Sequence, residues 1–135
     1  MKKYLLSILL LNTFYSFSQV TKYRGLNLVE VEMVKSEEKY SESKKVNVII
    51  TVDLDKRKIN ISEQKDIILD IVKYANFTEP NNSTHFNCLN EKGEPRTVVI
   101  ENYTKPLKNG LYSQILIKNL IDKVIYIYDV EKVQN

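Results

Sequence analysis

Residues 45–62 read KVNVIITVDLDKRKINIS, and this stretch decides the fold. Val46, Val48, Ile50, Val52 and Leu54 recur at every second position. Asn47, Thr51 and Asp53 lie between them, with Ile49 as the one apolar exception. A period of two belongs to a β-strand with one buried face. Asp55-Lys56-Arg57-Lys58 follows as a charged link, and then Ile59 and Ile61 alternate with Asn60 and Ser62. Two such runs joined by a short hydrophilic link predict an antiparallel hairpin. Val48 and Ile50 should face a core, and Thr51 should face outward.

The rhythm continues in both directions. Residues 26–34, LNLVEVEMV, set Val29, Val31 and Met33 against Leu28, Glu30 and Glu32, a strand with one wet face. Residues 35–44, KSEEKYSESK, read as an exposed loop, with a helical turn as the alternative. Residues 84–88 place Thr84, Phe86 and Cys88 on one face and His85 and Asn87 on the other. Val98 and Ile100 share a face within 96–103. Residues 114–120 and 123–130 form a closing hairpin, whose second strand is apolar on both sides and so belongs inside a sheet. Turns fall at 78–83, at 90–94 with Gly93, and at 104–110 with Asn109-Gly110, a strong hairpin signal.

Residues 63–76, EQKDIILDIVKYAN, fit two patterns. Ile67, Ile68, Ile71, Val72 and Ala75 lie on one helical face. Ile67, Leu69 and Ile71 also lie on one strand face, and their β-branched character favours the strand. The fold class predicted is therefore all-β: an antiparallel meander of about eight strands forming a small barrel or sandwich. The alternative is an α+β fold with a helix at about 63–76.

The first eighteen residues have the layout of a secretory signal peptide. Lys2 and Lys3 precede an apolar run from Tyr4 to Phe14, and Ser16-Phe17-Ser18 offers small residues for cleavage before Gln19. The run is shorter than the ~20 residues of a membrane-spanning helix. A single β-rich domain then occupies 19–135, exported to the periplasm or secreted, with no membrane span in the mature chain. Loss of Lys2 and Lys3 leaves 18 basic against 17 acidic residues. So balanced a charge offers no field for nucleic acid. The single cysteine, Cys88, excludes an internal disulfide.

The leader ending Ser-Phe-Ser-Gln, the hairpin KKVNVIITVDLDKRKINIS, then DIILDIVKY, FNCLNEKGE and a terminal KVIYIYDV stand in one order. This arrangement resembles a group of small secreted β-domain proteins of Bacteroidota, flavobacterial in type, over most of residues 26–130. The resemblance implies an exported β-domain and carries no activity, cofactor or site residue.

Chemistry is sparse. The one histidine, His85, and Cys88 are three apart on a strand and point to opposite faces, so they form no local nucleophile–base pair. Asp53-Leu54-Asp55 could share a cation, but lysine and arginine follow at once, and a charged hairpin tip fits better. No Gly-rich phosphate loop is present. No catalytic residue, metal site or cofactor is expected. Nine tyrosines are the one oddity. Tyr112, Tyr126 and Tyr128 crowd the closing hairpin and are the candidate ligand-binding residues, because tyrosines at a barrel mouth can stack on a sugar or an apolar ligand. Two functions remain open: a non-enzymatic exported module binding a small apolar ligand, a glycan or an envelope protein, and a hydrolase with carboxylates scattered in sequence.

Overall fold

A computed structural model of the protein describes residues 19–133. The predicted signal peptide, residues 1–18, lies outside them. Nine strands follow in order: β1 (Val20–Val34), β2 (Glu37–Tyr40), β3 (Lys44–Asp53), β4 (Lys58–Ser62), β5 (Asp66–Phe77), β6 (Asn82–Leu89), β7 (Pro95–Asn102), β8 (Ser113–Asn119) and β9 (Val124–Val133). From β3 onward each strand pairs antiparallel with the next, and β1 pairs with both β3 and β9. The β1–β9 ladder runs from Lys22↔Val133 to Glu32↔Val124 and closes eight strands into a barrel. Closure removes the open edges that Val/Ile-rich strands would otherwise expose. The all-β meander is borne out, as a barrel. No helix occurs among the described residues, and none is therefore long and apolar enough to cross a membrane.

The helical alternative at 63–76 is overturned. Residues 66–77 are β5, where Leu69 and Ile71 face the interior and pair with Ile59 and Cys88. Burial against two neighbouring strands outweighs the helical spacing. The expected loop at 35–44 is also corrected. β1 outruns β3, whose pairing ends at Leu28↔Lys44. Glu37–Tyr40 supplies the missing ladder as β2, pairing with Val31–Val34. Lys35 and Ser36 turn the chain with φ of 51° and 66°, the mirror-type hairpin turn that usually takes Asn-Gly.

The core fills the barrel interior. Ile50, Ile59, Ile115 and Val130 are fully buried, and Val48, Val52, Ile61, Leu69, Phe86, Cys88, Val98 and Tyr128 pack around them. Each buried aliphatic contributes about 1.5–3 kcal/mol. Val48 and Ile50 thus face inward, while Thr51 is half-buried on the outer face. Val31 and Val99 are also buried, but outside this cluster. They belong to an outer apolar seam in which Val99, Leu116, Ile127 and Val29 line up across four strands.

Two β-bulges shift side-chain parity. One lies between Gly25 and Asn27 on β1, the other between Ile71 and Lys73 on β5. Before the first bulge Tyr23 and Gly25 point inward, and after it Leu28 and Glu30 do. The face read as wet is therefore the inner one at its start: Leu28 is buried and Glu30 looks into the barrel mouth. Gly25 matters because a Cβ there would come within 3.3 Å of the Tyr128 ring.

Candidate functional site

The barrel has two ends. One carries the β4–β5, β6–β7 and β8–β9 turns and the β2 flap. The other carries Gln19 and the β3–β4, β5–β6 and β7–β8 connections. At the first end the packed core stops short of the rim and leaves a cup of about 380 Å³. That size falls in the range of small-molecule sites. Leu28, Ile61, Ile67, Leu69 and Ile117 form its apolar wall, with the rings of Tyr126 and Tyr128.

The polar groups of the cup differ in how far they are committed. Asn90 accepts from the backbone N–H of Lys92 and Glu94 and so builds the β6–β7 turn. Asn119 bonds Asp122 through both amide atoms and caps the β8–β9 turn. Tyr128 donates to Glu63 Oε1 at 2.7 Å. Burial first, and then this bond, hold its phenol well above the usual tyrosine range. Lys44 Nζ lies 3.8 Å from Glu30 Oε1. Arg96 is the more covered of the cup's two cations. Its Nη1 donates to the Pro95 carbonyl at 2.8 Å, and its Nη2 stands 3.6 Å from the Glu94 carboxylate. Its side chain is only 15% exposed.

Of the sequence candidates, Tyr126 and Tyr128 meet in the cup. Tyr112 does not join them: it precedes β8 at the opposite end and is 54% exposed. Sequence reasoning missed Arg96, Glu30, Glu63 and Lys44. A signal existed for Arg96, which is in phase with the buried Val98 and Ile100. A charge in the apolar phase of a strand marks a polar group turned inward. The signal for Glu30 was weaker: Gly25 stands at the bulge that turns it inward, and a glycine in a strand can mark such a bulge without saying which way the following side chains turn.

His85 and Cys88 lie on opposite faces of β6, as their spacing implies. Cys88 is in the core, and burial chiefly, with the Asp70 carboxylate, pushes its thiol up to about 11. His85 lies outside the barrel, where Nε2 is 3.3 Å from Ser83 Oγ and its ring packs edge-on against Phe77. Glu101 lines the same outer hollow but accepts from Tyr103, and no acid bonds the His85 ring among the described residues. Asp53 and Asp55 accept from the backbone N–H groups of Lys56 and Gln19, so they tie the hairpin tip. Among the described residues no three His, Cys, Asp or Glu side chains converge as metal ligands would.

Comparison of the chain with protein-family models, with curated proteins and with solved structures finds no match.

Proposed function

We propose that this protein is an exported, non-enzymatic binding module whose barrel mouth holds a small ligand with an apolar body. One observation carries the reading: five aliphatic side chains and the rings of Tyr126 and Tyr128 form a continuous apolar wall in the cup, and the polar side chains Glu30, Lys44, Glu63, Asn90, Arg96 and Asn119 share the rest of its lining. Such a mixture suits a site that buries an apolar ligand and orients it by a few polar contacts. The leader pattern of residues 1–18 supports export. A glycan or an envelope protein would use a broader surface than this hollow offers.

The hydrolase alternative has less behind it. Glu30 and Glu63 both line the cup, yet Lys44 and Tyr128 already engage them. A carboxylate pair working on a bond needs one free base and one free acid. The Ser83–His85 contact lies elsewhere and, among the described residues, has no orienting acid.

Titration of isotopically labelled protein with octanol, followed by NMR, tests the binding reading. Shifts confined to Ile67, Leu69, Ile117, Tyr126 and their neighbours support it, and Ile117→Trp, which fills the cup, should abolish them. Saturating octanol with no shift in these residues would count against it. Intact mass of protein recovered outside the cytoplasm should correspond to a chain beginning at Gln19.

A further inference from the structure

The character of the cup can be taken one step further, on the footing that it is a ligand site. We infer that it selects a small anionic amphiphile, a monocarboxylate with an apolar body, whose carboxylate sits on Arg96. The cup's other polar side chains are less suited to that role. Asn90 and Asn119 are consumed by the turns they build. Glu63 already accepts from Tyr128, and Lys44, 3.8 Å from Glu30, has a side chain 62% exposed and open to solvent.

Arg96 is different. A guanidinium carries five N–H donors in a rigid fork. Among the described residues only one of them makes a hydrogen bond, to Pro95, and the single ion-pair contact, at 3.6 Å, is to a rim glutamate that is 37% exposed. A cation this covered, with most of its donors unused, is a strong place for a planar anion that can bond it through two oxygens. The walls supply the rest of the ligand's recognition. Ile67 is a large aliphatic left 46% exposed beside the cup, and Leu69, Ile61 and Ile117 continue the apolar lining inward.

Size narrows the class. At the ~30 Å³ that one water takes up in the liquid, the cup holds about a dozen heavy atoms. Octanoate fits that space, whereas a long-chain fatty acid would project from the mouth.

The test compares three probes of equal chain length on the full protein: octanoate, octanol and octylamine. Octanoate should bind at least tenfold more tightly than the other two by calorimetry or NMR titration. Arg96→Gln should reduce octanoate to the level of octanol. The Arg96 Nε–Hε resonance of the unmutated protein should shift with octanoate and not with octanol, a readout that does not depend on the variant folding. Equal affinities for octanoate and octanol would overturn the anion assignment and leave the cup as an apolar site. Binding of none of the three would overturn both.

Discussion

Tyr128 on β9 donates its phenol proton to Glu63, just past the end of β4, at 2.7 Å, reaching over β1 and β3. The bond fixes one side of the cup to the other. Replacing Tyr128 by Phe keeps the ring and removes the donor. A hydrogen bond to a charged acceptor contributes about 1.5–3 kcal/mol, and the exposure of Glu63 puts this one at the lower end. Tyr128→Phe should therefore lower stability in a denaturant melt by about 1.5 kcal/mol at neutral pH. The pH dependence has a definite sign. The folded state holds the phenol above its ordinary value of 10.0. The stability tied to it is complete below that value and is lost as the pH rises beyond it. Above pH 10 the unmutated protein should lose stability faster than the variant, and parallel curves would refute this role for the bond.

Ile50 and Thr51 are neighbours on β3 that face opposite ways. Ile50 is fully buried and paired with Ile61, while Thr51 is half-buried on the outer face. Ile50→Ala should cost about 2–5 kcal/mol, the range for truncating a buried aliphatic. Thr51→Ala should stay within about 0.5 kcal/mol apart from a small loss of strand propensity. Equal costs at both positions, measured by urea unfolding, would mean that the outer face of β3 is covered as well.

Much of the fold could be read because alternation is a local signal. Val48, Ile50 and Val52 announce their face within a few residues, and so do Tyr126, Tyr128 and Val130. Barrel closure could not be read in this way, since it rests on a ladder between residues about a hundred positions apart, such as Tyr23 and Lys132. The bulges were almost as well hidden. In the ladder with β9 a single extra residue at Leu26 reverses the phase of β1 and turns Glu30 from an apparent solvent residue into a cup residue. The candidate site was half legible for the same reason. Tyr126 and Tyr128 stood out by composition, whereas Arg96 needed the phase of β7 to be taken seriously at a charged position.

The turn between β1 and β2 offers a gain instead of a loss. Lys35 and Ser36 both occupy left-handed backbone, at φ of 51° and 66°. That conformation costs ordinary residues roughly 1–2 kcal/mol each, and Asn or Gly much less. The double substitution Lys35→Asn with Ser36→Gly should stabilise the β1–β2 hairpin by about 1 kcal/mol. Because β2, among the described residues, pairs only with Val31–Val34, the gain should appear as slower amide exchange at those residues, with little change at Ile50 or Ile115. Faster exchange at Val31–Val34 would mean that the turn adopts another geometry in solution.

Cys88 tests the interior most directly. Its side chain is 2% exposed, on the inner face with Phe86. Burial, reinforced by the Asp70 carboxylate, raises the thiol from 9.0 to about 11. Since the thiolate is the reactive species, native protein should resist a maleimide or disulfide reagent that labels the denatured chain within seconds. The same shift ties stability to pH. The folded value exceeds the unfolded one, so the contribution is complete below pH 9 and drains away between about 9 and 11 as the unfolded thiol ionises first. Cys88→Ala should lower the neutral-pH midpoint by creating a small void, and should flatten the decline between pH 9 and 11. A decline of unchanged slope would assign it to other groups, and rapid labelling of the native thiol would place Cys88 outside the core.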